Sequence, residues 1–198
     1  SVMLPALSAH QSCPDQVMHM LRRAVKVSVY LVFPMMAGLA AAADNLVLVL
    51  LGEKWMACVP FLQISCLAYA VWPMDIANLQ ALNAMGRSDV FLKLELVKKA
   101  VGVLVLAVSI RCGALAFIAW KAAGDFLCTF INAWPNQRIL GYSIMRLWRD
   151  ILPALLASAV MGAAVYGLRF FLPVGILGLG LQILAGAGLY LLLSAVFR

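Results

Sequence analysis

The side chains in this chain that could hold or move charge are few, and they lie in apolar runs where charge is costly. Lys121, Asp125, Thr129 and Asn132 recur at steps of four, four and three, a spacing that lines them up on one face of a helix. Lys98 and Lys99 precede Arg111 closely: eleven residues separate Lys99 from Arg111, about 16 Å of helix against a hydrocarbon core of about 30 Å. The two lysines therefore either sit well inside the slab or snorkel outward along its edge. Asp75 and Asn78 share a face just after Pro73, whose missing N–H frees a carbonyl upstream.

The chemistry open to such groups is binding rather than bond making. His10 and His19 are the only histidines and both precede the first long apolar run, so no imidazole base is available in the membrane. The five cysteines form no CxxC pair and have no histidine at ligand spacing, so neither a metal site nor a disulfide framework is expected. Gly175, Gly178, Gly180, Gly186 and Gly188 lack the strand context of a phosphate loop and no Walker motif occurs, so no nucleotide and no other cofactor is expected. A helix stripe bearing two charges either packs against other helices or faces a water-filled cavity. The cavity is the preferred reading, because intramembrane ionisable groups face a pathway or pair with one another.

The elements that must carry these groups follow from composition. Hydrophobic residues make up 65% of the 198 and charged residues 12%, against roughly 45–50% and 25% in soluble domains. A soluble domain is excluded. The net charge of +7 is scattered among apolar runs and forms no nucleic-acid stripe. Its expected partner is membrane lipid at the anionic cytoplasmic face.

Six runs are long enough to cross the bilayer. Residues 1–26 are expected to form a cytoplasmic loop and an interfacial amphipathic helix, with Ser12 and Pro14 at its start and Val17, Met20, Leu21, Ala24 and Val25 on its apolar face. Residues 27–134 hold four crossings: Val27–Leu51, Met56–Met85, Val90–Ile110 and Ala114–Trp134. They are separated by turns at Gly52–Trp55, Gly86–Asp89 and Arg111–Gly113, with Ser88 or Asp89 capping the third crossing. Residues 135–150 read as a basic amphipathic connector. Residues 151–198 hold two further crossings joined at Pro173. The basic residues collect on alternate ends, which places both termini in the cytoplasm. The opening Ser1 suggests a piece of a longer protein.

Depth yields one pairing. Lys99 stands thirteen residues before Cys112 and Asp125 thirteen after it, so Asp125 is expected to pair with Lys99 or Lys98 rather than lie alone in a low dielectric. Lys98, Lys99 and Lys121 against Asp125, with or without Glu95, leave a cationic wall suited to an anionic ligand. Asp44 reads as the outer end of the first crossing or as a proton site. Ala154, Ser158 and Gly162, and Ala159, Ala163 and Gly167, read as packing rows.

Several runs together resemble a known family: Leu4-Pro5-Ala6-Leu7-Ser8, Phe33-Pro34 with Ala37-Gly38-Leu39, Leu51-Gly52-Glu53-Lys54-Trp55, and Gly86-Arg87-Ser88-Asp89. They resemble the polysaccharide exporters (Wzx-type) of the multidrug/oligosaccharidyl-lipid/polysaccharide (MOP) flippase superfamily, over essentially the whole chain. The resemblance implies an all-α integral membrane fold: six transmembrane helices and an N-terminal amphipathic helix, forming a truncated C-terminal lobe of a MOP-type flippase. It further implies a bacterial inner-membrane location, an undecaprenyl-pyrophosphate-linked oligosaccharide as substrate, a missing N-terminal lobe as partner, and translocation without catalysis. The residues expected to line the substrate cavity are Lys98, Lys99, Lys121, Asp125, Asp75, Asn78, Thr129 and Asn132. Three alternatives stay open: a cation-coupled multidrug antiporter of the same superfamily, a membrane-embedded glycosyltransferase or ligase, and a noncatalytic subunit of a cell-envelope assembly complex.

Overall fold

In a computed structural model, residues 14–109, 112–140 and 142–196 are described. The Leu4 to Ser8 run, the Ser12 cap, Cys13 and the Arg111 reversal lie outside them. The described chain is helical: α1 (Pro14–Ala41), α2 (Ala43–Leu51), a 3-10 segment (Glu53–Cys58), α3 (Val59–Ala84), α4 (Ser88–Ser109), α5 (Ala114–Leu140), α6 (Ile144–Leu168) and α7 (Ile176–Val196). Five stretches are long and apolar enough to cross a membrane: Asp15–Ala41, Glu53–Ala84, Ala114–Asn132, Met145–Leu168 and Ile176–Ala195. The protein is a multi-pass membrane protein. Helix α4, the third expected crossing, has 22 residues, enough in length, but Lys93, Glu95, Lys98 and Lys99 set its composition apart.

The glycines expected at reversals do turn the chain. Gly52, Gly86 and Gly113 have φ of +84°, +71° and +86°, a region costly for residues with a Cβ. The Gly52 N–H donates to the carbonyls of Val47 and Leu48, each at 3.1 Å, which closes α2 on a glycine of positive φ. At the next turn the Arg87 carbonyl accepts from Val90 and Phe91, and the Asp89 carboxylate also takes backbone hydrogen bonds in this first turn of the helix.

Two boundaries differ from expectation. The first crossing is not one helix to Leu51: the amphipathic segment runs into it as α1, 28 residues and about 42 Å long, and the helix is interrupted at Ala42 before α2. Its buried stripe of Val17, Leu21, Val25, Val29 and Phe33 runs unbroken at steps of four, so the same face is satisfied throughout. The fourth crossing likewise does not stop at Pro135. Helix α5 continues to Leu140, because proline forfeits one backbone bond without compelling the chain to leave the helix. The amphipathic connector shrinks accordingly, since α6 already begins at Ile144.

The chain divides into two compact units, Ser1–Val29 with Val71–Ile151, and Tyr30–Ala70 with Leu152–Arg198. Helices α1, α3 and α6 contribute to both. In the first unit the core is Val17, Leu21 and Val25 of α1, Met74, Ala81 and Leu82 of α3, and Leu147 and Ile151 of α6. In the second, Ala41, Ala42, Ala157, Met161, Val165 and Tyr190 form one cluster, and Ala43, Val47 and Val59 another. Of the small-residue rows on α6, the first packs: Ser158 is buried and Gly162 meets Ala37 so closely that an added Cβ would lie 3.4 Å from the Ala37 Cβ. Ala159 and Ala163 of the second row are exposed. Leu31, Leu67, Leu104, Leu127 and Leu184 are all more than half exposed, faces that lipid or further protein must cover.

Candidate functional site

The polar groups of the first unit converge where α3, α4 and α5 meet. Asp75, in the turn after Pro73 on α3, accepts hydrogen bonds from Thr129 Oγ1 at 3.3 Å and from Asn132 Nδ2 at 3.2 Å, both on α5. The spacing of three between Thr129 and Asn132 lets one carboxylate bridge them. Asn132 and Asn78 are fully buried, and Thr129 nearly so. The Thr129 hydroxyl also lies 3.3 Å from the Asp125 carbonyl. Asn132 Oδ1 is buried without a donor among the described residues. The Asp75 carboxylate lies within electrostatic range of Lys98 and Asp125, and buried Cys128 within range of Asp75, Lys98, Asp125 and Glu95.

The expected cross-helix ion pair is not made. Asp125 pairs with Lys121 at 2.5 Å, four residues away on its own helix, and Lys98 pairs with Glu95 on α4. The register between α4 and α5 explains this. Gly124 faces Val105, which places Asp125 level with Leu104 and about 9 Å along the axis from Lys98 at 1.5 Å per residue. A partner one turn away on the same helix is reached with less ordering of long side chains than one displaced by nearly two turns.

The cationic wall is corrected too. With Asp75 counted, the three lysines Lys98, Lys99 and Lys121 are balanced by three carboxylates, Asp75, Glu95 and Asp125, a formally neutral set. Within it the roles differ. Lys99 is exposed and has no ion pair among the described residues, whereas Asp75 is held by neutral donors. Lys121 and Asp125 are 53% and 43% exposed in their side chains, so they lie on the surface of this chain rather than in a chamber enclosed by it. A space beside the cluster, bounded by Thr129, Phe130 and Trp148, is about 10 Å³, no more than one water's worth.

Two polar clusters escaped the sequence. In the first unit Asp150, 4% exposed, accepts from Nε and Nη2 of Arg22, the latter at 2.6 Å, from Lys26 at 3.1 Å and from the Tyr142 hydroxyl at 3.2 Å. Burial, then the Asp150 charge, pushes the Tyr142 phenol above its ordinary range, so it stays a donor. In the second unit Asp44 pairs with Arg169, joining the first crossing to the end of α6. Each pair spans more than a hundred residues of chain, and no local spacing could have signalled it.

The comparisons agree with this architecture. A family model described as "Polysaccharide biosynthesis protein" matches residues 1–60. The teichuronic acid biosynthesis protein TuaB of Bacillus subtilis is 26% identical over 166 residues, covering 81% of this chain and 34% of that protein. An uncharacterized membrane protein in the cps region of Klebsiella pneumoniae is 29% identical over 132 residues, covering 67% of this chain and 27% of its own. The chain thus spans about a third or less of the curated relatives it matches. The lipid II flippase MurJ, in an inward closed conformation, superposes with a TM-score of 0.81 at 15% identity over 99% of this chain and 41% of MurJ, a likeness of fold. The chain is thus similar to polysaccharide biosynthesis proteins over its first 60 residues and to a lipid flippase in its fold.

Proposed function

We propose that this chain is the C-terminal portion of a flippase that moves an undecaprenyl-pyrophosphate-linked oligosaccharide across the bacterial inner membrane for cell-surface polysaccharide synthesis. The observation that carries the reading is the gathering of Asp75, Glu95, Lys98, Asp125, Thr129 and Asn132 from three otherwise apolar helices, with Lys121 paired to Asp125 and Lys99 exposed next to Lys98 in the sequence. In the full-length protein an N-terminal lobe would cover that surface and close a wet passage between the two. Lys99, without a carboxylate partner, would meet the pyrophosphate. The paired lysines and carboxylates would exchange partners as sugars pass, and Asn78, buried on the same helix, would add a polar contact after Pro73. Nothing in such a step makes or breaks a bond; rocking of one lobe against the other changes access.

The test is complementation of an exporter-null strain with full-length protein carrying Lys99→Gln, alone and with Lys98→Gln. Surface polymer should fall about tenfold, the effect of one lost contact worth ~1.4 kcal/mol. Lipid-linked oligosaccharide should accumulate on the cytoplasmic side, with the protein still folded and abundant. Unchanged export at normal protein levels would instead make these charges helix staples of a noncatalytic assembly subunit.

A further inference from the structure

In the second unit the first crossing is weakened at two places, and at each a side chain from another helix reaches its backbone. Pro34 lies inside α1. Having no N–H, it leaves the carbonyl four residues earlier, that of Tyr30, without its helical donor. In a membrane such a group is satisfied by a neighbouring helix or by a local change of helix type. Tyr190 of α7 supplies the donor: its hydroxyl gives a 2.7 Å hydrogen bond to the Tyr30 carbonyl, with the two rings 5.3 Å apart. Near the interruption at Ala42, Gln63 of α3 likewise donates to the Ala40 carbonyl at 3.2 Å.

Packing one turn away puts the Tyr190 hydroxyl in place. Gly186 seats α7 so close to α6 that an added Cβ would lie 3.0 Å from the Val165 side chain, and Tyr190 is buried, 6% exposed. Helix α6 offers that hydroxyl a second partner. Ser158 Oγ is buried, has no hydrogen-bond partner among the described residues, and stands beside Tyr190. A phenol has one proton to give, so Tyr190 donates to Tyr30 or to Ser158 but not to both.

We infer that Tyr190 is a two-position latch on a hinge at Pro34. In the first position its hydroxyl holds the Tyr30 carbonyl, and the turn before Pro34 stays α-helical. In the second the hydroxyl turns to Ser158, and the turn tightens to a 3-10 form in which the Phe33 N–H leaves its α-helical acceptor for the Tyr30 carbonyl, three residues back. Each arrangement leaves one polar atom without a partner: Ser158 Oγ in the first, the acceptor given up by Phe33 in the second. The count of hydrogen bonds therefore does not separate them, which is the condition for a bistable element. The inference is independent of what the first unit transports.

Hydrogen–deuterium exchange of the full-length protein in one detergent, followed by mass spectrometry of a peptide covering residues 31–37, reads the turn. Tyr190→Phe should speed exchange of these amides about tenfold, the effect of one lost hydrogen bond. In a Pro34→Ala background residue 34 again donates to the Tyr30 carbonyl, and Tyr190→Phe should then change exchange by less than about twofold. Ser158→Ala removes the second position and should slow the same amides about threefold. No effect of Tyr190→Phe in the wild type, an effect of equal size in both backgrounds, or no slowing in Ser158→Ala would each overturn the latch.

Discussion

Replacing Asp150 by Asn tests whether α1 and α6 are tied by charge. The carboxylate is almost fully buried and receives the Arg22 fork, Lys26 and the Tyr142 hydroxyl. Asparagine keeps the shape and one acceptor but discards the charge that makes these bonds strong. Breaking a buried pair costs about 3–5 kcal/mol, but Arg22 and Lys26 are 42% and 48% exposed and regain water when released. Hydrogen bonds to charged groups contribute ~1.5–3 kcal/mol, so the expected loss is about 2 kcal/mol. For a chain of this size that lowers the melting temperature by about 4–8 °C. Arg22→Gln leaves Lys26 and Tyr142 in place and should cost about 1 kcal/mol. The double variant should fall short of the sum by about 1 kcal/mol, the mark of a direct contact. Thermal unfolding of wild type, both single variants and the double variant in one detergent gives the four values. An Asp150→Asn variant within ~0.5 kcal/mol of wild type, or full additivity, would refute the tie.

Three further outcomes follow from the geometry. Lys121→Gln removes an exposed pair within one helix and should change stability by less than about 0.5 kcal/mol while lowering export in the complementation assay; equal loss of both would mark a structural residue. Asp75→Leu strands the Asn132 donor, while the Thr129 hydroxyl keeps the Asp125 carbonyl, and should cost about 1–3 kcal/mol for one buried unsatisfied group, measured as denaturant or thermal unfolding; a neutral result would mean that the bridge is not formed. Gly162→Leu pushes against Ala37 and should cost about 1–3 kcal/mol, whereas Ala163→Leu, next to it but exposed, should be close to neutral. Equal effects would show that the two α6 rows are not distinguished as described.

Sequence alone decided what depends on local chemistry and on solvent. The length of the apolar runs required helices that lipid covers, because unpaired backbone groups are not tolerated there. The glycines at positions 52, 86 and 113 set the reversals, because a positive φ penalises a Cβ. Helical spacing put Thr129 and Asn132 on one face, and Asp75 proved to be their acceptor. Spacing along one helix cannot choose between neighbours, however. Whether Asp125 meets Lys99 or Lys121 turned on the register of α4 against α5, an offset of a few residues fixed by packing at Gly124 and Val105. The Asp150–Arg22 and Asp44–Arg169 pairs depend on which distant helices lie side by side. That is settled by the mutual fit of many weak apolar contacts, each about 0.1–0.2 kcal/mol, and no single stretch of sequence contains it.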